Sequence, residues 1–197
     1  MNSAFDPEIC QKRLFAILDY VYRDPLFGPG LSSHASLVAL YASATATELG
    51  GDGRIAYLAG WLFNIGATMG GSKEHHKTRT EVAEKILKGV GFPIEIIRQV
   101  LCCLGIKGEE TIESRCVASA AGLANFFRVS DLLWFAFVRL GLGPAQGAEW
   151  VEGELQKGWE NMLPQHRKLL DGCDRVSMVR NFGFNLKFGD EETPSDR

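Results

Sequence analysis

Paired cysteines are the first thing this chain lacks. It has five cysteines, an odd number, and none stands in CxxC spacing. That excludes a disulfide framework and points to free, buried thiols in a reducing cytoplasm. Cys102 and Cys103 are neighbours in an apolar helix-like run and would point in different directions. A strong excess of charge is also missing. The formal net charge is -3, so the total gives no sign of a nucleic-acid binder and no nucleic-acid partner is expected. The longest run free of charged residues and histidine, Ile55 to Ser72, is interrupted by glycines and Asn64. It falls short of a membrane span, and no membrane association is expected. Asp6 and Glu8 stand early and no apolar h-region follows, unlike a signal peptide. A cytoplasmic location is therefore expected. Strand signals are nearly absent, and there is no internal repeat or low-complexity segment.

Helical punctuation is what the chain has in quantity. With 197 residues and 46% apolar side chains it can build one domain with a sizeable core. Asp6-Pro7-Glu8 is an N-cap, a proline at N1 and a first-turn acid. Ile9, Leu14, Ile17, Leu18 and Val21 then recur at helical spacing, which predicts a helix to about Arg23. Residues 24–30 carry two prolines and two glycines and read as a loop. Ser32 or Ser33 is expected to cap a second helix that ends at Gly50-Gly51. Asp52 caps a third, which should end near Gly66. A fourth runs from Glu74 to Lys88 and is stopped by Gly89 and Gly91. Pro93 starts a fifth, Thr111 caps a sixth, and Ser130 opens a short apolar one from Leu132 to Leu140. Pro144 stands at N1 of a helix carrying Trp150, Leu155 and Trp159. The predicted fold class is all-α, a single domain of about seven or eight helices. Its parts are an N-terminal helix and loop at 1–31, a core at 32–141, a helical extension at 142–189 and a disordered tail at 190–197.

Leu58-Ala59-Gly60-Trp61-Leu62-Phe63-Asn64-Ile65-Gly66-Ala67 is the most specific stretch. It lies 29 residues after His34, counted to Phe63, and before the pair His75-His76 that opens an amphipathic helix. A Gly91-Phe92-Pro93 connector follows, then two further helices. In order and spacing, Ser32 to Asn125 resembles the HD-domain superfamily of metal-dependent phosphohydrolases. The resemblance implies a helical core in which imidazoles and carboxylates from several helices converge on divalent ions. Those ions activate water for phosphoester hydrolysis.

Position by position, the resemblance also implies that the chemistry has been removed. Phe63 and Asn64 stand where the family has its adjacent His and Asp. Phe63 cannot ligate, and Asn64 offers only a neutral carbonyl oxygen. Lys107 stands about where another His is expected. The last ligand has two registers. Ala121 in Ser119-Ala120-Ala121-Gly122-Leu123 is preferred; Asp131 in Ser130-Asp131-Leu132-Leu133 would preserve a carboxylate. His34, His75 and His76 are retained.

The chain is accordingly expected to be a degenerate HD-domain protein, a pseudoenzyme acting as a ligand-binding or regulatory module. Its ligand positions would be His34, Asn64, His75, His76 and Lys107, and it would need no cofactor. The alternative is a weakly active phosphohydrolase for a nucleotide or small phosphoester. It would bind Mn, Fe, Ni, Co, Zn or Mg through His34, His75, His76 and Asp131. A third reading is a purely structural helical module. Phosphate-containing small molecules are the expected ligand class, with Lys73, Lys77 and Arg79 as a candidate basic rim. Trp134, Phe135 and Phe137 read as core, and Trp150 and Trp159 as packing against the domain. Phe126-Phe127 and the aromatic tail Phe182, Phe184 and Phe188 are candidates for a partner surface or homodimer contact.

Overall fold

Asp6 opens the first helix as its sequence predicts. Its carboxylate accepts from the backbone N–H groups of Glu8 at 3.0 Å and Ile9 at 3.1 Å, and α1 runs Pro7–Tyr22. The computed structural model describes residues 5–23, 30–65, 75–105 and 110–171, with 75–78 as backbone alone. The aromatic tail, the 190–197 segment, Lys73 and Lys107 lie outside these residues. Among the described residues there are nine α-helices and one π-helical turn, and no strand. The chain is all-α in these residues, and no single described helix is long and apolar enough to cross a membrane.

The second helix, α2, is Leu31–Glu48. It starts before the serines expected to cap it: Gly30 is the N-cap and makes no side-chain cap bond. Leu31 packs against the core, and that burial draws the helix start back past Ser32 and Ser33. Its end is as expected, with Gly50 in the left-handed region at φ 81°. Asp52 caps α3, Gly53–Leu62, by accepting from Arg54 N–H at 2.8 Å and Ile55 N–H at 3.4 Å. The Asp52 N–H in turn donates to the Glu113 carboxylate at 2.7 Å. The helix stops at Leu62 rather than near Gly66, because the chain tightens into a turn in which Phe63 N–H reaches back to Gly60 carbonyl at 3.3 Å.

The next helix, α4, is His75–Val90, and Gly89 lies inside it, leaving Gly91 at φ 96° to terminate it alone. Pro93 precedes α5, Ile94–Cys103. Thr111 caps α6, Ile112–Phe127, through a reciprocal box with Ser114. Arg128 caps α7, Val129–Trp134, one residue ahead of the expected Ser130 opening, and α7 passes into a π-helical turn at Phe135–Arg139. Two helices complete the described chain: α8, Pro144–Glu160, and α9, Pro164–Lys168. The five residues of α9 are too few for apolar periodicity to announce them.

The centre of the molecule is α2, packed between α3 and α6. Its buried stripe is Ala35, Val38, Ala39, Ala42, Thr45 and Ala46, at helical spacing and nearly all small. Small side chains let backbones approach. A Cβ placed on Gly60 of α3 would come 2.4 Å from Ala39 Cα, far inside van der Waals contact. The same device joins α6 to α8: a Cβ on Gly122 would lie 2.5 Å from Gly158 carbonyl oxygen. Around these contacts the larger core chains, Leu14, Leu62, Ile97, Leu104 and Leu155, are fully buried. The four described cysteines are free thiols. Burial pushes Cys103 up to about 12 and Cys116 up to about 11, so neither ionises readily.

Two glycines should therefore respond in opposite directions. Gly60→Ala forces α3 off α2 and should cost about 1–3 kcal/mol in urea unfolding. Gly89→Ala meets nothing within 4 Å and should stabilise by about 0.5–1 kcal/mol, as a helical glycine replaced without a clash.

Candidate functional site

Close packing on α2 brings three helix ends around one imidazole. His34 lies in the first turn of α2, Asn64 just beyond the end of α3, and Asn125 in the last turn of α6. The Asn64 side-chain amide donates to His34 Nδ1 at 2.8 Å. On the other side of the ring, His34 Nε2 bonds Asn125 Oδ1 at 3.0 Å. A ring that accepts at Nδ1 and donates at Nε2 is the neutral Nε2–H tautomer. Burial acts the same way, holding the His34 imidazole below the usual histidine range against the opposing pulls of the Asn125 bond and Asp131.

This relay borders a cavity of about 250 Å³. Phe63, Ala121 and Leu31 form one part of its wall. Asp131, Trp134, Phe135, Trp150 and Glu154 form another. Asp131, Trp134 and Phe135 follow a bend of 83° between α6 and the helix after it, and Trp150 and Glu154 come from α8. Phe135 begins the π-helical turn and stacks on Trp150, with ring centroids 5.7 Å apart and 27° between planes. Short π-helical segments often mark functional sites. Asp131 pairs with Arg128 one turn earlier and lies directly over Gly30, where no Cβ would fit.

The expected site residues that are described can now be located. His34, Phe63 and Asn64 meet at the cavity. Ala121 and Asp131 both line it, so the two registers for the last position reach the same space from different helices. The side chains of His75 and His76, and all of Lys107, lie outside the described residues. Arg79 does not serve as a phosphate rim. Its guanidinium lies 4.9 Å from the Phe63 ring centroid and donates to the carbonyls of Phe63 at 3.4 Å and Leu104 at 2.5 Å. It ties together the ends of α3 and α5. Trp134 and Phe135 are cavity wall rather than core, and Phe137 is exposed. Trp134 and Phe135 stand where α7 passes into the π-helical turn, and that junction is what borders the pocket.

Among the described residues, the donors at the cavity do not fit a divalent ion. Both nitrogens of His34 are engaged by amides, Phe63 and Ala121 carry no ligand atom, and the Asp131 carboxylate is held by Arg128. Among the described residues, no three His, Cys, Asp or Glu side chains gather as a ligand set.

Asn125 and His166 had no signal in the sequence. Asn125 is one asparagine in an apolar helix. His166, on α9, is fully buried between Thr45 Oγ1 at 2.8 Å and Ser119 Oγ at 2.6 Å. Ser119 Oγ also accepts from Leu163 N–H at 2.7 Å, so this cluster fastens α9 to α2 and α6. Its hydroxyls are as buried as the ring, which makes it a clip rather than a nucleophile with its base.

Fold and site together define an all-α arrangement of the described residues with a partly open, aromatic-lined pocket beside the start of α2. Comparison with models of protein families, with characterised proteins and with solved structures finds no match to this chain.

Burial holds both described histidines, His34 and His166, below the ordinary value of 6.5. The unfolded chain then binds more protons than the folded one once pH drops below about 6.5. Stability should be full above that pH and fall as pH falls, by at most about 1.4 kcal/mol per pH unit for each ring. Urea melts between pH 8 and pH 5 test this. His166→Gln should flatten the slope and cost about 1–3 kcal/mol at pH 8, because Thr45 and Ser119 lose a buried partner.

Proposed function

We propose that this chain is a degenerate HD-domain-like protein in which a metal-dependent hydrolytic centre has become a pocket for a small organic ligand. One observation carries the reading. The imidazole at the position of a retained family ligand spends both nitrogens on uncharged amides, and one of those amides belongs to Asn64, the residue in place of the family's aspartate. An imidazole used this way has no lone pair left for a metal or for a water to be activated. Its role is to hold Asn64 and Asn125 in fixed orientations beside the cavity.

Ligand binding at this place would couple to the fold, since the cavity wall is assembled from α2, α3, α6, α7 and α8. A molecule that bridges these elements stabilises all of them together, by RT ln(1 + [L]/Kd), about 2.7 kcal/mol at a hundredfold excess over Kd. A regulatory or interaction module needs that coupling, and it needs no turnover.

Elemental analysis of the purified full chain tests the reading. Mn, Fe, Ni, Co and Zn should all be well below one equivalent. Hydrolysis of bis-p-nitrophenyl phosphate with added Mn or Mg should not exceed the rate in buffer. Stoichiometric metal accompanied by turnover would sink the proposal. The double change Phe63→His with Asn64→Asp should raise metal uptake, though modestly, because Ala121 still offers no ligand.

A further inference from the structure

The lining of the cavity carries information about charge. Among the described residues that line it, the charged ones are Asp131 and Glu154. Each is one half of an ion pair whose cation stands outside the lining: Arg128 for Asp131, and Lys157 for Glu154 at 2.8 Å. Both carboxylates thus border the cavity, each shared with a cation that is not itself among the lining residues. The aromatic lining adds to the same polarity. Trp134, Phe135 and Trp150 are half-buried lining residues, and the Phe135–Trp150 stack uses one face of each ring and leaves the other for a ligand. Ring faces carry the negative part of the aromatic quadrupole and attract cations. His34 is neutral, and its N–H is already given to Asn125, so no cationic donor is offered from that side.

We infer that the cavity takes a small organic cation, a quaternary or protonated amine, held between the Phe135–Trp150 wall and the carboxylates of Asp131 and Glu154. This rests on the ligand-binding reading above and sets aside the anionic, phosphate-bearing ligand that the family resemblance implies. A phosphate would meet two carboxylates and an aromatic lining in a space of about 250 Å³. An alkylammonium would meet the opposite: its charge is delocalised over methyl groups, costs little to desolvate, and suits tryptophan best. Asn64 and Asn125, held by His34, would contact the polar end of such a ligand.

The test uses the full chain and three probes of similar size: benzyltrimethylammonium, benzyl alcohol and phenyl phosphate. Binding is followed by quenching of tryptophan fluorescence and by calorimetry. The cation should saturate and bind about tenfold or more tightly than benzyl alcohol, with phenyl phosphate weaker still. Glu154→Gln and Asp131→Asn should each weaken the cation several-fold and leave benzyl alcohol unchanged. Glu154 is not itself a member of either core cluster, so its variant reports even if Asp131→Asn unfolds. Equal or tighter binding of benzyl alcohol or phenyl phosphate would overturn the cation inference and leave the pocket a ligand site. Silence from all three probes would remove both.

Discussion

A hydrogen atom at position 60 is the constraint on which the arrangement depends. Gly60 lets the backbone of α3 lie against that of α2, at a distance where any Cβ would reach Ala39 Cα. The alanines of α2 extend the same tolerance along the helix, so α3 and α6 both approach it closely. Only at that spacing do Asn64, at the end of α3, and Asn125, near the end of α6, reach opposite edges of the His34 ring. Bulk along the stripe would part the helices and separate the amides from the imidazole. Packing of side chains with almost no functional groups thus sets the geometry of the polar ones.

The two described histidines are used alike. His34 sits between two amides and His166 between two hydroxyls, and in both the partners are uncharged. A neutral imidazole with a donor on one side and an acceptor on the other is a rigid spacer with directional ends. Charging it would leave one partner misoriented inside a dry site, which adds to the burial that lowers its proton affinity. Arg79 plays a comparable part on the far face of Phe63. It takes carbonyls from two helix ends and lays its guanidinium on the ring, fixing the wall whose other face borders the cavity.

Much of the helical order was legible. Asp6, Asp52 and Thr111 announce helix starts, and Pro7 and Pro144 sit at first positions, because capping and proline geometry involve residues within one turn of each other. Gly50 and Gly91 mark ends for the same reason. Errors arose where a distant contact outweighed a local preference. Leu31 moved the start of α2 past two serines by burying itself, and Gly89 stayed inside α4 because nothing opposed it. The site was legible in its middle, at His34, Phe63, Asn64 and the alternatives Ala121 and Asp131. Its rim was not. Asn125 looks like any polar residue in an apolar helix, and Trp134 and Phe135 look like core until the bend after α6 brings them to the cavity, where Trp150 of α8 stacks on Phe135.

By itself the sequence determined that the chain is helical, roughly where each helix begins, and that Phe63 and Asn64, an aromatic ring and a neutral amide, follow the third helix. These are properties of residue identity and of interactions within a few positions. The tertiary structure decided what those residues do. The bond from Asn64 to His34 spans 30 positions and the bond from His34 to Asn125 spans 91. Neither has any trace in local propensity, because each exists only once three helices have closed on a stripe of alanines.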